Sequence, residues 1–291
     1  MIQYLLLDEN INEIKKRIMN KTIILFLDYD GTLAPFRDDP NKANPYPGIK
    51  QILKELNKNR DIYINIISGR TLTSLNKQIN ILDINYVGTH GLEMKIAGKY
   101  DLFSNHNNKT KISSNNVNYN NTKFSLKNNL SGENILPKIR GYFEYLKKNH
   151  SGIEYEDKKN ALALHHPPSY QTGSIIDYLT KIIDNTQFEI LKGKNVIEVR
   201  PRGWHKGKSA RYIVKNILDN INLSKEKEHI TIYIGDDTTD EDAFKELSGL
   251  NIYVKNDANL DTAADYYLNN PKDVLTFLET LKKMIIQHHK G

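Results

Sequence analysis

The sequence predicts an α/β protein: a doubly wound parallel sheet with a smaller α+β domain inserted into it. Three observations carry that expectation. The runs TIILFL (22–27), IYINII (62–67) and ITIYIG (230–235) are short, β-branched and apolar almost throughout, as parallel strands buried on both faces must be. Helical patterns lie beside them, in GIKQILKELNKN (48–59) and KGKSARYIVKNILDNI (206–221). Between 105 and 200 the alternation changes to helix, paired strands, helix, paired strands, which is the order of a separate α+β unit.

In chain order, the first strand (22–27) runs into the polar DYDGT, and the helix at 48–59 returns the chain for the second strand, which ends in SGR. A further short strand is expected at NYVG (85–88). From about 105 to 132 the chain is rich in Asn, Ser and Lys with few apolar anchors, and reads as a linker with no chemistry of its own. A helix at 135–149, strands in GIEYE and NALALHH, a helix at 174–185 and strands in FEIL and NVIEV make up the insertion. The core resumes near Pro201 with the helix at 206–221, the strand at 230–235 and another in NIYV (251–254). The expected division is therefore 1–104 with 201–291 as the core, and 105–200 as the insertion.

Composition narrows the function. The 291 residues suffice for two cores, and 38% hydrophobic with 26% charged residues is a globular balance. No apolar run approaches the roughly 18 residues of a membrane span, and the opening MIQYLLLDENINEIKKRI makes a poor signal peptide, so the expected location is cytoplasmic, away from membranes. With no cysteine, thiol catalysis and thiolate metal sites are excluded, leaving oxygen and imidazole ligands. The net charge of +6 comes from scattered lysines, which argues against a nucleic-acid surface and suits an anionic small substrate.

In open α/β sheets ligands gather beyond the carboxyl ends of the strands, so the polar residues closing these strands should meet: Asp28 and Asp30, Ser68, Asp236 and Asp237. A carboxylate such as Asp28 can attack phosphorus, and a second acid two residues on can protonate a leaving alkoxide. Tyr29, between them, points to the opposite face and has no evident chemical role. In GDDTTDEDAF (235–244), Thr239, Asp240, Glu241 and Asp242 suit a helix start, while Asp236 and Asp237 are better placed for a hard cation such as Mg2+. Ser68 and the neighbouring backbone N–H of Gly69 could bind a phosphoryl oxygen, with the Lys206 ammonium against the same charge.

DYDGT, Ser68, Lys206 and GDD, in that order, resemble the four motifs of the haloacid dehalogenase-like phosphatases. The resemblance implies Asp28 as nucleophile and Asp30 as general acid and base. It implies Mg2+ held by the Asp28 carboxylate, the Asp30 carbonyl and Asp236, with Asp237 and Asp240 in support. The insertion then corresponds to a cap domain. LFLDYDGTLAPF, IISGR, GTHGLEM, GKNVIEVRPRGWHKGKSA and YIGDDTTDEDAF are more closely similar to the trehalose-6-phosphate phosphatase family. That implies a sugar phosphate substrate, read by Glu93 in the core and by Lys158, His165, Lys194, Glu198 and Arg200 in the cap. It also admits a trehalose-phosphate synthase as partner. Two departures stand out: Val196 occupies a position where the family often has Asn, and His165 is followed by His166 and Pro167 where the family has Tyr and Arg. Sucrose 6-phosphate and glucosyl- or mannosyl-phosphoglycerate are the alternative substrates; a non-catalytic subunit of a synthase is the alternative class.

Overall fold

The computed structural model describes residues 2–37, 42–97, 135–158, 161–183, 187–193, 195–220, 228–256 and 261–288. The Asn-rich segment and Lys194 lie outside them. The chain divides into two compact units, Met1–Tyr119 with His205–Gly291, and Asn120–Trp204.

The first unit begins with β1 (Gln3–Tyr4), α1 (Asp8–Ile18), β2 (Thr22–Leu27), α2 (Ile49–Leu56), β3 (Ile62–Ile67), α3 (Leu72–Ile79), β4 (Asn85–Gly88) and β5 (Glu93–Lys95). The second unit consists of α4 (Leu136–Asn149), β6 (Glu154–Asp157), β7 (Leu162–His165), α5 (Gly173–Ile183), β8 (Phe188–Gly193) and β9 (Val196–Pro201). The first then resumes with α6 (Lys206–Asn220), β10 (His229–Gly235), α7 (Thr238–Glu246), β11 (Gly249–Val254), β12 (Tyr266–Leu268) and α8 (Pro271–His288). The expected doubly wound sheet with an inserted α+β unit is what the structure contains.

In the first unit the strand order is β1-β12-β11-β10-β2-β3-β4-β5, and every pairing is parallel except β4 with β5. The three runs singled out in the sequence are the three central strands. All six residues of β2 and all six of β3 are buried, so each apolar side chain contributes on the order of 1.5–3 kcal/mol whichever face it takes. The one amide in β3 is satisfied: Asn65 Nδ2 donates to the carbonyls of Leu25 and Tyr63. Asn65 Oδ1 receives Asn85 Nδ2, and Asn85 Oδ1 receives the Ala97 N–H. A buried polar chain of this kind penalises any slip of β2, β3 and β4 past one another.

From β2 the chain winds outward through β3 and β4 on one side, and after the insertion through β10, β11 and β12 on the other. The reversal falls between β2 and β10, and it leaves a crevice at their carboxyl ends. Register places Leu27 beside Ile234, so Asp28 and Asp236 leave adjacent strands at nearly the same height.

The second unit is a four-stranded antiparallel sheet, order β6-β7-β9-β8, with α4 and α5 packed on one face over Leu162, Leu164, Ile197 and Val199. Among the described residues no helix is long and apolar enough to cross a membrane.

Candidate active site

At the crevice Asp28 is buried and accepts a hydrogen bond on Oδ1 from Lys206 Nζ at 2.8 Å. Lys206 opens α6 and is only 1% exposed, so its ammonium needs anionic partners. It finds a second in Asp240 Oδ1, also at 2.8 Å, and a third in Asp237 Oδ1 at 3.8 Å. Asp240 is surrounded by donors: Oδ1 also receives the Tyr233 hydroxyl at 2.7 Å, and Oδ2 receives the backbone N–H groups of Asp236 and Asp237 at 3.1 Å. Oxygens of Asp28, Asp236 and Asp240 lie within 4.8 Å of one another. Asp240, with four donors, organises the cluster, while Asp28 and Asp236 carry fewer: one ammonium, and a 3.4 Å contact from the Thr32 hydroxyl.

The electrostatics follow from burial. Desolvation pushes the Asp28 carboxyl well above the ordinary carboxylate range, opposed by Lys206 and reinforced by Asp240 and Asp236. Asp236 is pushed up in the same way, by burial and then by Asp237 and Asp240. Asp240 rises to about 6, through burial against the pull of Lys206. Burial would lower Lys206, but Asp240 and Asp28 outweigh it and hold the ammonium charged. Three acids against one lysine leave a deficit of positive charge, and a divalent cation with a preference for oxygen ligands fits it.

Close approach of the two acid-bearing exits depends on Gly31. Its φ is +84°, and a Cβ there would sit 2.1 Å from Asp236 Oδ2, so any side chain would displace the carboxylate. Asp237, expected beside Asp236 as a ligand for a hard cation, has another task. It is the N-cap of α7, where its Oδ1 accepts both the Thr239 N–H and hydroxyl. Burial would raise its carboxyl, but Lys206 and the Thr239 bonds bring it down to about 2. Only Asp236 of that pair joins the acid cluster.

Asp30 leaves the same turn in a different direction. Its carboxylate is gripped by Arg70, with Nε on Oδ2 and Nη2 on Oδ1, both at 2.6 Å. The Arg70 guanidinium lies 4.9 Å from the centre of the Tyr29 ring, and the buried Tyr29 donates its hydroxyl to the Ala43 carbonyl at 2.7 Å. Tyr29 thus backs the guanidinium that pairs with Asp30.

Ser68 and Gly69 occupy the turn between β3 and α3. Ser68 N–H donates to the Val87 carbonyl, and Ser68 Oγ accepts from the Arg70 N–H. The Ser68 and Arg70 carbonyls receive the N–H groups of His90 and Thr89. Those two residues lie in the left-handed region, at φ 53° and 50°, a strain of roughly 1–3 kcal/mol each for non-glycine residues. It aims their N–H groups at the turn and seats the His90 ring over Gly69, where a Cβ would be 2.6 Å from Nε2. Glu93 is engaged too: Oε2 accepts the Leu72 N–H at 3.0 Å, at the start of α3, and the Thr89 hydroxyl at 3.5 Å.

In the second unit, alternation along the strands puts Ala163 and His165 of β7, Glu198 and Arg200 of β9 and Glu189 of β8 on the sheet face opposite the helices. Lys158, just after β6, is buried and donates to Glu198 Oε2 at 2.8 Å. Arg200 Nε donates to Glu189 Oε1 at 2.9 Å. Burial lowers the His165 imidazole, favouring its neutral form. Four of the expected sugar-binding residues, Lys158, His165, Glu198 and Arg200, therefore belong to one polar sheet face.

A parallel sheet with acids at the exits of both strands flanking its reversal, a lysine at a helix start between them and an inserted α+β unit defines a haloacid dehalogenase-like phosphatase, a phosphoric monoester hydrolase. Residues 26–272 match the family model described as "Trehalose-phosphatase". The chain belongs to the trehalose-phosphatase family. It is 30% identical over 273 residues to "Probable trehalose-phosphate phosphatase J" of Arabidopsis thaliana, covering 90% of this chain and 67% of that protein. It is 28% identical over 281 residues to trehalose-phosphate phosphatase B of the same plant, covering 93% and 69%. The fold is similar to that of the C-terminal domain of C. albicans trehalose-6-phosphate phosphatase, with a TM-score of 0.72 at 24% identity, covering 97% and 98% of the two chains.

Proposed function

We propose that the protein hydrolyses trehalose 6-phosphate to trehalose and phosphate, through an aspartyl phosphate on Asp28 and with Mg2+ bound. The observation that carries this reading is the buried Asp28–Lys206–Asp240 chain beside Asp236, which joins a nucleophile, a cation for its charge and acids for a metal at one strand exit. Ser68, the Gly69 N–H and Lys206 hold the phosphoryl oxygens. A carboxylate oxygen of Asp28 attacks phosphorus, the bond from phosphorus to the sugar C6 oxygen breaks, and Asp30 gives that oxygen its proton. Asp30, now a carboxylate, takes a proton from water as the water oxygen attacks phosphorus; the bond to Asp28 breaks and phosphate leaves. The Asp28 and Asp236 carboxylates and the Asp30 carbonyl would hold Mg2+, which would supply positive charge against the transferring group. Asp237 and Asp240 keep Lys206 and the turn in place. We assign the reading of the sugar to Lys158, His165, Glu198 and Arg200 of the second unit, to Lys194, which lies outside the described residues, and to Glu93 of the first unit.

Phosphate release from trehalose 6-phosphate, sucrose 6-phosphate and glucosyl- and mannosyl-phosphoglycerate, with Mg2+ and with chelator, tests the assignment. Turnover of trehalose 6-phosphate above the others, lost in chelator, is the expected result. A preference for another sugar phosphate would overturn the substrate. Binding of sugar phosphate without turnover would instead favour a regulatory subunit of a synthase.

The cation reading also makes a prediction without activity. A buried acid whose pKa lies above its unfolded value holds its proton more tightly when folded, so it destabilises the fold as pH rises through that interval. For Asp240 the interval runs from about 4 to about 6, and Asp28 and Asp236, pushed up by burial, act in the same sense. Asp237 acts in the opposite sense, but only below about 4. These acids should therefore cost the metal-free protein stability as pH rises from about 4 through about 6, with the half-buried His165 acting the other way, and Mg2+ should raise the melting temperature more at pH 8 than at pH 5. An equal effect of Mg2+ at both pH values would count against this site.

A further inference from the structure

We infer that Arg70, seated on Tyr29, is a positioning residue that fixes where the Asp30 carboxyl meets the leaving oxygen. The inference rests on the phosphatase reading above and adds to it a part of the site outside the acid cluster. Asp30 follows the buried Tyr29 and precedes Gly31, whose φ of +84° opens a tight turn, so its backbone alone does little to aim the side chain. Among the described residues, both hydrogen bonds to its carboxylate come from Arg70. A two-pronged contact sets the plane of the carboxylate as well as its distance, which a single ammonium would not do. The edge turned away from Arg70 leaves a lone-pair site on each oxygen, where the protonated carboxyl carries the proton it gives to the leaving oxygen.

Arg70 is itself restrained from several sides. Nη1 donates to Ser74 Oγ at 3.2 Å, in the first turn of α3. The Arg70 backbone N–H donates to Ser68 Oγ, and its carbonyl accepts the Thr89 N–H. Tyr29 lies against the guanidinium, and its hydroxyl bond to Ala43 sets the ring's position. Asp30 is thereby tied to the turn that carries Ser68: whatever orients the phosphate-binding turn also orients the acid. Lys206 cannot take this part, since its ammonium lies between Asp28 and Asp240.

The test separates positioning from phosphate binding and from simple structural damage. Arg70→Lys keeps the charge and loses the fork; Tyr29→Leu keeps the arginine and removes its platform. Each is compared with wild type in single turnovers, with enzyme in excess and Mg2+ present, on the sugar phosphate that the wild type turns over and on p-nitrophenyl phosphate. The sugar oxygen needs a proton to leave, and p-nitrophenolate does not. With Arg70→Lys, sugar release should slow by about 10²-fold and p-nitrophenol release by less than about 5-fold, with Tyr29→Leu giving a weaker version of the same split. Equal losses on both substrates, or a rise in KM alone, would assign Arg70 to phosphate binding or to structure and overturn the inference. No loss on either would overturn it as well. Failure of the wild type to release phosphate from any sugar phosphate would instead count against the phosphatase reading.

Discussion

Asp28→Asn is expected to reduce turnover of trehalose 6-phosphate by on the order of 10⁴-fold or more, with no loss of folded stability. The two halves of this expectation have separate causes. The amide is nearly the shape of the carboxylate but cannot form the phosphoryl ester, so the two-step route is closed, and what remains comes from binding and orientation alone. Stability is preserved because the native carboxylate is a burden on the metal-free fold: it is 4% exposed, and burial together with Asp240 and Asp236 disfavours its charge despite Lys206. The asparagine relieves that repulsion, while Lys206 keeps Asp240. A melting temperature in chelator equal to or above that of wild type, together with the lost turnover, is the pattern to measure. Substantial residual turnover would remove Asp28 from the nucleophile's role.

Lys206→Met should fail on both counts. The side chain is similar in length, but it leaves Asp28 and Asp240 buried without their cation, and breaking such a contact costs about 3–5 kcal/mol. Lys206 is charged throughout the accessible range, since its ammonium is held well above its ordinary value, so its contribution is present below about 10 and lost only above. The acids it serves lose charge as pH falls towards 5, and the deficit of the variant should shrink with them. Denaturant unfolding at pH 5 and pH 8 checks this. A deficit that does not depend on pH would show that Lys206 acts by packing alone, and preserved turnover would separate it from the phosphate.

Much of this was legible in the residues. The three central strands announce themselves because burial on both faces leaves almost no room for polar alternation, and the reversal between β2 and β10 brings their polar exits together. The helices α1, α3 and α8 and the short strands β1, β5 and β12 carry no comparably clear pattern. In α3 the eight residues include Thr, Ser and Asn, weak helix formers, and the helix relies on the Thr71 cap and on Glu93 at its start. Arg70 was visible in IISGR, but its partner Asp30 is 40 positions away, and only the register of β2 with β3 makes them neighbours. Tyr233 reads as one more aromatic in an apolar strand; its hydroxyl gains meaning once α7 turns Asp240 back towards it. In the second unit, the Lys158–Glu198 pair could not be read from spacing, because the antiparallel pairings of β6 with β7 and of β7 with β9 together set it.

The pairing of β2 with β10 also governs how the chain must be made. Asp28 and Lys206 are separated by 178 positions, and β2 finds its partner on that side only when β10 has been synthesised. At roughly 5–20 residues per second, TIILFL waits about 10–40 s with one edge unpaired on a ribosome-bound chain. Such an apolar edge is a template for wrong partners. The insertion between β2 and β10 lengthens that interval, so Asp28 meets Lys206, Asp236 and Asp240 only late in synthesis.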